Sequence, residues 1–171
     1  NLSSTHKLAQ ELQIPIRSPK NLNSNEELNF FKKLNPDIVV VVAYGQIIPK
    51  NFIDIPKKGF VNIHASILPK WRGAAPIQRS IINLDKETGI SVMKIEEGLD
   101  SGPVMKKIKI DILPNDTSGE ISQKLSKIGS DIIVEVLDNI FNDKVKFIEQ
   151  EHKFATYAKK IKKSEGKINW E

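Results

Sequence analysis

Five β-branched residues in a row, Ile38-Val39-Val40-Val41-Val42, constrain this chain more than any other feature. Such a run favours a strand, because branched side chains pack well on a pleated surface. It also lacks polar alternation, which predicts burial on both faces, as in a parallel sheet covered by helices. The surrounding pattern supplies those helices. Ser24 or Asn25 can cap one, with Glu26 and Glu27 in its first turn and Lys32 and Lys33 in its last, matching the helix dipole. Asn35-Pro36-Asp37 ends it.

The remaining elements follow from the same rules. Ser3 to Leu12 reads as the end of a helix, and Ile14 to Arg17 as a short strand limited by Pro15 and Pro19. Phe60 to His64 is a strand, and Ala75 to Leu84 a helix. Ile90 to Ile95 and Val104 to Ile112 are strands, the second with one wet face. Thr117 to Phe141 is an amphipathic helix with Ile121, Leu125, Ile128, Ile132 and Leu137 on one side. Lys144 to Ile148 is a further strand candidate. This order predicts an α/β fold, a Rossmann-like, mainly parallel sheet flanked by helices. Ligands in such folds bind beyond the carboxyl ends of strands.

Composition narrows the chemistry. The chain has 171 residues and no cysteine, so disulfides, thiolate catalysis and Cys-based zinc sites are excluded. No apolar run approaches the roughly 18 residues of a membrane span, and no signal peptide opens the chain. A cytoplasmic protein without a membrane partner is expected. The formal net charge of +5 permits a polyanionic partner without establishing one.

Three polar positions stand out. Asn62 and His64, two apart at the carboxyl end of a strand, point to one face. A histidine in that position is more often structural; the asparagine beside it and the long loop that follows shift the balance. That loop, Ala65 to Pro76, holds Pro69 for a bend and Gly73-Ala74-Ala75 for close backbone approach. Asp100 lies between Gly98 and Gly102, where simple turn chemistry is the plainest explanation.

Together these pieces resemble a known signature. Asn62-Ile63-His64, then Ser66-Ile67-Leu68-Pro69, then Asp100, is similar to the folate-dependent formyltransferases. Trp71-Arg72-Gly73-Ala74-Ala75-Pro76-Ile77-Gln78-Arg79 resembles the branch that acts on methionyl-tRNA. So do Val41 to Gly45 and Thr156 to Lys160 through Ile168-Asn169-Trp170. The resemblance implies transfer of formyl from 10-formyltetrahydrofolate to an amine through a tetrahedral intermediate. Protonated His64 and the Asn62 amide would donate to its oxyanion, and Asp100 would favour the charged imidazole and steer a proton. It further implies a folate pocket at Gln46, Ile47, Ile48, Ser66, Leu68, Pro69, Glu97, Gly98 and Leu99. Arg72 and Gly73 would face the tRNA. A monomer needing no metal is implied.

The family's opening strands and its C-terminal barrel have no counterpart here. Residues 1–150 are therefore expected to form a partial catalytic domain and 151–171 a linker toward a further domain. In the family's sheet order, Ile14 to Arg17 would be the third strand and Ile38 to Val42 the fourth, leaving a bare edge on the latter. Lys153, Lys159, Lys160, Lys162, Lys163 and Lys167 are candidates for RNA backbone contact or for a solvated face. The alternatives are a formyltransferase for a sugar amine or other small amine, and an inactive folate-binding fragment.

Overall fold

In the computed structural model, residues 2–167 and Trp170 are described. In chain order they form α1 (Ser4–Glu11), α2 (Asn25–Leu34), β1 (Val39–Val41), α3 (Lys50–Ile53), β2 (Phe60–His64), β3 (Arg72–Gly73), α4 (Pro76–Ile82), β4 (Glu87–Lys94), β5 (Val104–Asp111), α5 (Ser118–Phe141) and β6 (Tyr157–Ala158). Two 3-10 turns, His152–Phe154 and Lys163–Gly166, flank β6.

The helix starts are set by side-chain caps. The Ser24 hydroxyl accepts from the Glu27 N–H at 3.2 Å, and Asn35 closes α2 in the left-handed conformation. Thr117 and Glu120 form a reciprocal capping box at the start of α5.

The main sheet has the order β1-β2-β4-β5. β1 runs parallel to β2, while β4 is antiparallel to both β2 and β5. The α/β class expected from the sequence holds. Within these residues the sheet is mixed, and its parallel part is the β1–β2 pair.

Helix α5 lies across this sheet and buries Ile121, Leu125, Gly129, Val136 and Ile140. Leu137 is only half-buried, so Val136 and Ile140 carry the last turns of the apolar stripe. Val61, Val92, Val136 and Ile140 form one core cluster, and Ile90, Ile121 and Leu125 another. A Cβ on Gly129 would reach the Ile63 side chain at 3.5 Å, so the helix sits close on β2. On the other face Phe31 of α2 packs against Phe52 and Phe60, with ring centroids 5.2 and 5.9 Å away.

Three expectations need correction. Ile14 to Arg17 forms no strand. Pro15 and Pro19 lack ladder donors, and Arg17 instead forks onto Glu26 and Glu27 at 2.7 Å and stacks over Phe30. Ile38 to Val42 is a strand but is not buried on both faces, since Val40 is 38% and Val42 61% exposed. Its only strand partner among the described residues is β2. Lys144 to Ile148 reduces to one bridge, Ile148 with Val104.

The segment after Gln150 docks on the body. β6 pairs in parallel with β3, the Arg72 N–H donates to Thr156 O at 2.8 Å, and the Ala74 N–H donates to Ala158 O at 2.9 Å. Ile168 and Asn169, part of the family resemblance, lie outside the described residues. Among the described residues, no helix is long and apolar enough to cross a membrane.

Candidate active site

The site grows from the carboxyl end of β2. Alternation places Asn62 and His64 on the same face, and both are buried, at 9% and 6% exposure. His64 Nε2 lies 2.9 Å from the Trp71 carbonyl oxygen. A carbonyl can only accept, so Nε2 carries a proton and Nδ1 is left for another partner. Nδ1 faces Asp100, 3.6 Å from Oδ2. That oxygen accepts the Gly73 N–H at 2.8 Å. The chain therefore brings together the three residues singled out from the sequence, and the acid reaches the imidazole from a separate loop.

The loop after β2 holds its shape through buried hydroxyls. Ser66 Oγ donates to Lys70 O at 2.5 Å. Ser91 Oγ donates to Ser66 O at 2.7 Å and accepts the Leu68 N–H at 3.0 Å. Trp71 takes a left-handed backbone, φ 61, and its indole N–H donates to Asp85 at 2.7 Å. Burial pushes the Asp85 carboxyl up, but hydrogen bonds from Lys70, Trp71 and Asn83 outweigh it and hold Asp85 below its ordinary range.

The residues expected to hold folate divide into two groups. Gln46 and Ile47 beyond β1, and Glu97, Gly98 and Leu99 between β4 and β5, are exposed, with Ile48 half-buried. The Lys50–Glu97 ion pair at 2.7 Å ties the two loops together on the Asp100 side of the site. Ser66 and Leu68 have buried side chains that hold the loop's interior, so they offer a ligand no side-chain surface. Pro69 is half-buried between them and Lys70.

Arg72 differs most from expectation. The family resemblance implied that Arg72 faces the tRNA, yet the residue is 3% exposed. Its Nε and Nη2 donate to Gln150 Oε1 at 3.1 and 2.7 Å, and Nη2 lies 3.3 Å from His152 Nδ1. A guanidinium held inside the protein cannot also reach a phosphate. Gly73 serves the site through its N–H, and its φ of +115 with Ala158 O only 3.0 Å from a Cβ position excludes larger residues.

Sequence reasoning missed Gln150, Asp85 and the Trp71 carbonyl. Gln150 sits in the polar run Glu149-Gln150-Glu151, which looks like solvated surface. Neither its burial nor its partners, Arg72, Asp100 and Gly102, can be read from spacing.

The formyl transferase family matches residues 3–137, most of the chain, including Asn62, His64 and Asp100. The chain belongs to this family. The chain is 56% identical over 171 residues to the methionyl-tRNA formyltransferase of Pelagibacter ubique, a match covering 99% of the chain and 55% of that protein. The chain spans about half the length of the curated relatives it matches. Among solved structures, glycinamide ribonucleotide transformylase 1 from Symbiobacterium toebii shares the fold with a TM-score of 0.73 at 17% identity, over 84% of this chain and 74% of that one. A sugar 3N-formyl transferase solved with dTDP and 5-N-formyl-THF gives a TM-score of 0.70 at 23% identity, over 89% and 52%.

Proposed function

We propose that this formyl transferase catalyses transfer of a formyl group from 10-formyltetrahydrofolate to the amino group of methionyl-tRNA, in the cytosol or an organelle matrix. The observation that carries the chemistry is the placement of His64 Nδ1 3.6 Å from the Asp100 carboxylate, with Nε2 fixed by the Trp71 carbonyl. The acceptor follows from the methionyl-tRNA formyltransferases matched at 56% and 48% identity. The fold likeness to sugar enzymes, at 22–24% identity, favours no sugar acceptor.

The folate would supply an activated formyl carbon and a nitrogen leaving group. The acceptor amine attacks that carbon, a C–N bond forms, and the carbonyl electrons move to oxygen. Protonated Nδ1 of His64 and the Asn62 amide would each donate to that oxygen. As the oxygen re-forms its double bond, the bond to the folate nitrogen breaks. The proton lost by the amine would reach the leaving nitrogen through Asp100. The exposed loops at Gln46 to Ile48 and Glu97 to Leu99, joined by Lys50, suit a flat ring held largely by backbone groups.

A groove of about 580 Å³ beside Trp71 supports a polyanionic acceptor. It is lined by Tyr157, Lys159, Lys160 and Lys162, with Arg79 and Glu165 pairing at 2.7 Å along its wall. Lysines and aromatic faces suit phosphate and base contact. The test is competition between acceptors. The full-length protein should formylate methionyl-tRNA with a far higher kcat/KM than an amino sugar nucleotide. Faster formylation of the sugar would overturn the acceptor assignment.

A further inference from the structure

Gln150 belongs to no helix or strand, yet it is 6% exposed and both ends of its carboxamide are in use. Nε2 donates to the carbonyls of Asp100 at 2.9 Å and Gly102 at 2.7 Å. Oε1 accepts twice from the Arg72 guanidinium. A primary amide has two N–H donors and two lone pairs, so all four valences are engaged.

The place it grips needs holding. Asp100 takes φ 44, in the left-handed region that a residue with a Cβ disfavours. The turn around it has little slack, since a Cβ on Gly102 would lie 2.2 Å from Lys94 O. Gln150 spans the carbonyls on both sides of Ser101 and so fixes the turn from outside. Its other end closes a circuit. The Asp100 carboxylate accepts from Gly73, Gly73 follows Arg72, Arg72 holds Gln150, and Gln150 holds the Asp100 backbone.

We propose that Gln150 is a positioning residue for formyl transfer. Gripped by Arg72, it sets the Asp100 backbone so that the carboxylate faces Nδ1 of His64. This rests on the catalytic reading of His64 and Asp100 given above. It assigns the buried Arg72 a mechanical role, and it makes the docked segment after Glu149 part of the catalytic machinery.

The test is a double-mutant cycle in the full-length protein, with 10-formyltetrahydrofolate and methionyl-tRNA as substrates. Gln150→Glu keeps an acceptor for Arg72 but has no N–H for the two carbonyls. Gln150→Met removes both functions without adding charge, and serves if the first variant does not fold. Either should lower kcat by about tenfold to a hundredfold, with KM for both substrates within roughly twofold. In an Asp100→Asn background the same change should cost less than about twofold, because the group it positions is already disabled. Equal losses in both backgrounds, a loss confined to KM, normal activity, or failure of both variants to fold would each overturn the proposal. His64→Ala and Asp100→Asn alone serve as controls. If they remain active, the catalytic reading itself fails. If they lose about 100-fold or more but keep a measurable rate while Gln150 behaves additively, only the positioning role fails.

Discussion

The Trp71 carbonyl engages Nε2 of His64 and leaves Nδ1 facing Asp100, and that carbonyl is in place because Trp71 is pinned at both ends. Its N–H donates to Thr156 Oγ1 at 2.8 Å and its indole to Asp85 at 2.7 Å. Asp85 thus supports the site from behind. Its depressed carboxyl pKa gives a sign that can be checked. A lowered folded-state value means the stabilisation is fully present above the ordinary carboxylate range, near pH ~4, and is lost as pH falls through the lower folded value. Asp85→Asn should therefore be less stable than the parent by about 1–2 kcal/mol at pH 7. That difference should shrink as denaturation is repeated toward pH ~3. A gap that stays constant across this range would show that the charge is not what holds Trp71. At this scale the sequence was informative about Asn62 and His64, whose positions follow from strand period alone. It was silent on Asp85 and Gln150, because their roles depend on groups 14 to 78 residues away. The tRNA-facing role for Arg72 came from the family resemblance, and only its distant amide partner explains its burial.

Elements with local signals were the legible ones. β2 was delimited from its own residues, and α2 and α5 from caps and periodicity, all features settled within a few positions. Ile14 to Arg17 and Lys144 to Ile148 failed because a strand exists only through its neighbours. Neither finds a ladder among the described residues beyond the Ile148 bridge. The β1 run was recognised as a strand, yet its burial was overestimated because branching reports conformation, not cover. Helix α5 packs its apolar stripe on β2 and β4. Ile121 is fully buried between α5 and the sheet. Ile121→Ala should cost about 2–5 kcal/mol, with little repacking to absorb the cavity. Chemical denaturation measures this, and a loss below about 1 kcal/mol would mean that the helix–sheet contact is looser than its burial implies.

On the scale of the whole molecule, Asn62, His64 and Asp100, with their buried hydrogen-bonded support, sit beside a sheet edge that is unpaired among the described residues. The Gln46 to Ile48 loop springs from that same edge strand, and the folate contact proposed for it would depend on β1 being rigid. An unpaired hydrophobic edge is a poor foundation and an aggregation hazard. We expect these 171 residues expressed alone to bind a formylfolate analogue much more weakly than the full-length Pelagibacter ubique relative does, by calorimetric titration. Equal affinity would show that β1 needs no support beyond β2.

Whether Asn62, His64 and Asp100 carry formyl transfer at the end of β2 is decided by single-turnover transfer from 10-formyltetrahydrofolate to methionyl-tRNA, comparing the full-length protein with its His64→Ala variant. The transfer rate should fall by about 100-fold or more, with an unchanged melting temperature. A properly folded His64→Ala protein that transfers formyl at the parent rate would contradict that role.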